Sequence, residues 1–130
     1  MSEYLKTAMI GWAVLFLFAA GATLPYLLRR TAPGATLPQR LWPHYWIGYL
    51  LPILTLIHAW LPMRNGNMNG LNMTGLWLAT IAMLLLIWQV GVGVTLRYFG
   101  GSQSRMLQTT HFWSMTVLAT LIVGHVMLNR

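Results

Sequence analysis

Apolar residues run through this chain in four blocks, and helix breakers and charges collect in the gaps between them. The first block, 9–28, holds no charge and is closed by Arg29 and Arg30. A helix needs about 20 apolar residues to cross a bilayer, so this block predicts a spanning helix. Small residues at 19–22 offer a competing reading as a signal peptide, but the apolar run is longer than such segments carry. Pro33, Gly34 and Pro38 predict a loop over 31–39. The second helix is expected over 43–61, with Pro43 at its first position, Pro52 bending its middle and Pro62 ending it. Residues 63–74 contain four Asn and two Gly and predict a polar turn. A third span follows over 75–97 and a fourth over 105–128, joined by a turn at 100–104 in which Ser102 or Ser104 is a candidate N-cap. The expected fold is all-α: one membrane domain, 1–130, with four transmembrane helices in an up-and-down bundle.

Composition supports the membrane reading. The chain is 57% hydrophobic and only 7% charged, where soluble domains carry about a quarter charged residues. Its net charge of +7 does not mark a nucleic-acid protein, because the basic residues stand at the ends of apolar runs instead of on one polar face. The first and third loops hold Arg29, Arg30, Arg40, Arg97 and Arg105, against Lys6, Arg64 and Arg130 on the other side. The positive-inside rule then puts loops one and three in the cytoplasm, and the expected setting is a bacterial inner membrane. With no cysteine, covalent haem, iron–sulfur ligation and disulfides are excluded. With Glu3 as the single acid, a carboxylate-driven pump or exchanger is disfavoured.

Four histidines are the candidate chemistry. His44 and His58 lie fourteen positions apart on the second helix, and His111 and His125 fourteen apart on the fourth. Fourteen residues bring a side chain back to within about 40° of the same face, roughly 21 Å along the axis. Both pairs therefore fit inside one hydrocarbon layer roughly 30 Å thick. Helices two and four run in the same direction, so the depths match His44 to His111 and His58 to His125. Neutral imidazole pairs of this kind are axial ligands for haem iron, and two sites give two stacked b haems between helices 2 and 4. A bis-imidazole iron has no open position, so it transfers electrons. Thr55 and Ser114 are candidate groups for fixing the other ring nitrogens. Gly48 and Gly124, with Gly11, Gly21, Gly91 and Gly93, are candidate room for a macrocycle, although small residues also allow plain helix contact. Propionates need cations, with Arg40, Arg97 or Arg105 at one site and Arg64 or Arg130 at the other.

These residues resemble the haem-bearing core of the cytochrome b/b6 family, which carries paired histidines on alternate helices. The resemblance implies His44, His58, His111 and His125 as the four axial ligands. The family's fourteen-spaced glycines are half matched, by Ala79 and Gly93, and the chain has no Pro-Glu-Trp-Tyr motif. The spacing is also similar to the membrane core of ferric reductases and NADPH oxidases. That family adds flavin and nicotinamide domains, of which these residues hold none.

The expected function is a dihaem b-type cytochrome passing electrons across the bilayer as the membrane subunit of a larger redox complex. Its expected partners are redox subunits on one side and a quinone or second redox protein on the other. The sequence places no quinone site, and Gln89, Arg97 and Tyr98 are only candidate polar contacts for one. Alternatives are a stand-alone quinol- or metal-reducing cytochrome b, and a non-haem four-helix scaffold. Zinc or copper sites would want donors clustered at one depth. Met115 and Met127 are weaker candidates as ligands. Most tryptophans read as interfacial anchors, with Trp12 and Trp88 deeper and expected mainly in core packing.

Overall fold

The computed structural model describes residues 3–31, 34, 36–64, 72–99 and 104–129. They form four helices, α1 (Glu3–Thr31), α2 (Leu37–Arg64), α3 (Met73–Phe99) and α4 (Ser104–Leu128). All four are long and apolar enough to cross a membrane, which marks an integral membrane protein. Residues 65–71, 100–103 and 130 lie outside the described set, and with them most of the expected polar turn, the turn containing Ser102, and Arg130.

Each helix runs past the apolar block from which its length was expected, and hydrogen bonds at the ends account for two of the differences. The α2 helix begins at Leu37, six residues before Pro43, where Thr36 and Gln39 make one half of a capping box. The Gln39 side chain accepts from the Thr36 amide at 2.9 Å, and the Arg40 amide donates to the Thr36 carbonyl at 3.1 Å. Pro43 and Pro62 therefore lie inside the helix instead of bounding it. The α3 helix begins at Met73 because Asn72 caps it, its Oδ1 accepting from the Gly75 amide at 3.2 Å. The expected loop over 31–39 shrinks correspondingly, with Thr31 closing α1 and Leu37 opening α2. Ser104 is the first helical residue of α4.

Inside the helices, hydroxyl groups are satisfied locally. Thr23, Thr55, Thr80, Thr95, Thr109 and Thr116 each donate to the carbonyl one turn back, at 2.8 to 3.2 Å. That is how a hydroxyl is carried in hydrocarbon, where water cannot serve as a partner. Thr55 is among them, donating to Leu51, so it does not fix the ring of His58 as expected.

The chain divides into two compact units, Met1–Met68 and Asn69–Arg130. The first is an antiparallel hairpin of α1 and α2, the second an antiparallel hairpin of α3 and α4. In the first, Gly21 meets Ile47 so closely that a β-carbon would lie 3.1 Å from Cγ2. In the second, Gly124 meets Leu78 in the same way at 3.0 Å. Removing Cβ lets the backbones approach, which is how helices associate when lipid is as apolar as leucine. Added β-carbons at Gly48 and Gly91 would touch nothing within 4 Å, so these two glycines do not mediate the helix contact within their own hairpins. The most buried side chain is Leu118, followed by Leu51, Val92, Ala82 and Leu86. Large apolar residues such as Phe16, Leu84, Trp77 and Trp113 face outward, the reverse of a soluble protein. Trp12 and Trp88 are exposed as well, so neither is core filler as expected.

Candidate functional site

All four histidines are half-buried, and each lies against the other helix of its own hairpin. His44 Nδ1 is 2.8 Å from the carbonyl of Gly21, and His58 Nδ1 is 3.1 Å from that of Thr7. His125 Nδ1 is 2.9 Å from the carbonyl of Gly75. A carbonyl oxygen only accepts, so Nδ1 carries the proton and donates in all three. In the neutral imidazole this leaves the lone pair on Nε2. This is the tautomer and restraint found in histidines that ligate metals through Nε2.

The acceptors come from the neighbouring helix, whereas the sequence pointed to Thr55 and Ser114. Thr7 and Gly21 are fourteen positions apart, like the histidines they hold, and antiparallel packing pairs the first of one helix with the second of the other. The second hairpin repeats the layout. Gly75 and Gln89 on α3 are fourteen apart, and they meet His125 and His111 respectively. Positions 7, 21, 44 and 58 thus correspond to 75, 89, 111 and 125, an offset of 67 or 68 residues. The interval was readable in the sequence. That main-chain carbonyls were the partners was not, because no side chain signals them.

Two glycines lie against imidazoles. A β-carbon on Gly11 would lie 2.8 Å from His58 Cε1, and one on Gly93 would lie 3.5 Å from His111 Cε1. Gly11 lies one turn after Thr7 and Gly93 one turn after Gln89, but the two glycines are not at corresponding positions of the hairpins. Of the expected glycines, Gly11 therefore makes room for a histidine ring, while a side chain at Gly93 would meet His111 only at ordinary contact distance.

The surroundings of His125 and His111 carry further polar groups. Asn129 Nδ2 donates to the His125 carbonyl at 3.1 Å, and Asn129 Oδ1 accepts from the Asn72 amide at 3.1 Å. The same Nδ2 lies 3.3 Å from His125 Nδ1, but with Nδ1 protonated these are two donors, so that contact is not a hydrogen bond. Beside His111, the buried amide of Gln89 donates from Nε2 to the His111 carbonyl at 2.8 Å. Gln89 Oε1 accepts from the Ser114 hydroxyl, which also lies 2.8 Å from the Thr110 carbonyl and 3.2 Å from that of His111. Both ends of the Gln89 amide are thus used within the hairpin.

Of the expected propionate partners, Arg40 is half-buried one turn before His44, and Arg105 is exposed in the first turn of α4. Arg97 stacks its guanidinium over Tyr98 at 5.1 Å from the ring centroid. Among the described residues no three His, Cys, Asp or Glu side chains converge to hold a bare metal ion.

No family model, no curated protein and no solved structure matches this chain.

Proposed function

We propose that this protein is a small membrane cytochrome of the b type that holds two haems and passes electrons across the bilayer. The observation that carries this reading is the orientation of the rings. Three of the four imidazoles donate Nδ1–H to a carbonyl and so present Nε2 as a ligand atom. The chemistry of the donor set also fits: neutral nitrogen donors, no thiolate, and glycine instead of a side chain against two of the rings. Haem, when bound, supplies the one-electron iron couple.

On this reading His44 with His111, and His58 with His125, are the axial ligands. The pairing rests on sequence, since helices two and four run in the same direction and each pair shares a depth. The backbone carbonyls of Thr7, Gly21 and Gly75 keep the proton on Nδ1 and set the ring planes. Gly11 leaves the space that the His58 ring occupies. Outward-facing apolar side chains keep the helices in lipid, which excludes water from the imidazoles. Arg40 and Arg105 are the cations for propionates at the His44/His111 end, where interfacial charge is tolerated.

The donor and acceptor come from elsewhere, from a redox subunit of the same complex and from a quinone or second redox protein. The setting proposed is a bacterial inner membrane, with loops one and three in the cytoplasm. A series of single His→Ala variants tests the reading. Each should fall from two haems per chain to one, with His44→Ala matching His111→Ala and His58→Ala matching His125→Ala in spectrum. Four variants with both haems retained contradict it, and a colourless wild type leaves the scaffold reading. Quinol turnover by the purified chain alone would favour a stand-alone cytochrome over a subunit.

A further inference from the structure

Corresponding positions in the two hairpins carry different chemistry beside the first histidine of each. In the α1–α2 hairpin, position 21 is a glycine packed against the Ile47 methyl, and its carbonyl takes the His44 ring proton. In the α3–α4 hairpin, the corresponding pair is Gln89 and Ser114. Gln89 is one of the most buried residues of the protein, with 8% of its surface exposed. An amide placed in a spanning helix is costly unless every donor and acceptor is matched. Here Nε2 donates to the His111 carbonyl and Oε1 accepts from Ser114, one helical turn beyond. The contact is therefore with the main chain of a candidate ligand and with the residue three positions after it.

We infer that Gln89 and Ser114 are positioning residues for His111, and that they make the His44/His111 haem differ from the His58/His125 haem. The inference rests on the proposed dihaem function. Two hydrogen-bonded groups clamp the α4 backbone at His111 to α3, so the imbalance acts on the angle and reach of that one imidazole. Both histidines of the other pair are held through the ring, by the carbonyls of Thr7 and Gly75; the His125 carbonyl also accepts from Asn129 at the end of its own helix, whereas the His111 carbonyl accepts from a side chain of the facing helix. Ligand-plane orientation and local polarity are what the protein uses to tune a haem, so the clamp is a means of separating two otherwise similar sites.

The test is Gln89→Leu, with Ser114→Ala as a second lesion and Ser114→Thr as the conservative control that keeps the hydroxyl. Each is made in the full chain and in a His125→Ala background, which isolates the His44/His111 haem. Redox titration of the α-band and low-spin EPR of the oxidised protein are read, neither of which depends on turnover. The expected result is a shifted potential and a moved low-field g value, or loss, at the His44/His111 haem only. Ser114→Thr should restore both readings. Unchanged spectra in Gln89→Leu and Ser114→Ala, or equal shifts at both haems, overturn the inference while the dihaem reading stands. A wild type without haem overturns both, and that is seen before any variant is made.

Discussion

The ring of His58 occupies the space in which a side chain on Gly11 would begin: a β-carbon there would lie 2.8 Å from Cε1. Real β-carbons do not come that near a neighbour, so the imidazole must move if the glycine changes. The relationship ties α1 to a ligand on α2, and it acts with the Thr7 carbonyl one turn earlier, which holds the same ring by Nδ1. Gly11→Ala should therefore displace His58 and lower haem content from two per chain towards one. Gly93→Ala, whose β-carbon would reach ordinary contact at 3.5 Å from His111 Cε1, should leave both haems in place. Haem per chain, measured on the two variants side by side, checks the difference. Equal loss in both would show that glycine serves these helices in some other way.

Asn129 joins the two ends of the second hairpin, accepting from the Asn72 amide and donating to the His125 carbonyl. Removing it leaves the α3 N-terminus with the Asn72 side-chain cap alone. Asn129→Ala should cost about 1 kcal/mol, the usual worth of a capping or main-chain hydrogen bond near a helix end. Hydrogen exchange should show faster opening at the first turn of α3 and the last of α4, with α1 and α2 unaffected.

Leu118 is the most enclosed side chain, at 1% exposure. In a soluble core, Leu→Ala costs about 2–5 kcal/mol, part of it the lost transfer from water. Lipid is as apolar as the protein interior, so only the packing and cavity part remains here. Leu118→Ala should then cost roughly 1–2 kcal/mol in a detergent or bilayer unfolding measurement, less than a soluble core leucine. The outward Leu84→Ala should cost almost nothing by the same measurement, since that side chain already faces outward.

The hydrogen bond from the Thr36 amide to the Gln39 side chain marks where α2 starts. Gln39→Ala removes the acceptor for the Thr36 amide, at 2.9 Å in the intact protein, and should fray the turn that carries Arg40. A loss of about 1 kcal/mol is expected, with faster amide exchange at 36–40 and no change at His58.

The four spans were legible because a charge-free apolar block as long as 9–28 matches the thickness of a bilayer and exceeds what a small soluble core can bury. Their ends were not, since the apolar count stops at the first polar residue while a helix stops where its amides run out of partners. Thr36 and Gln39 do show the capping pattern in the sequence, three apart, and Pro43 drew attention from it. The histidines were legible as a set from their spacing alone. What held them was hidden, because a carbonyl acceptor belongs to every residue and only packing selects Thr7, Gly21 and Gly75. Gln89 stood out as a polar residue in a spanning helix, but the sequence offered it to a quinone, whereas its amide is spent on His111 and Ser114.

The most direct test of the account is a pyridine haemochrome assay on the full chain, purified in detergent from cells that make haem proteins normally. Two b haems per chain is the predicted result, one for each pair of histidines at matched depth. A colourless protein, or one holding a single haem, contradicts the dihaem reading.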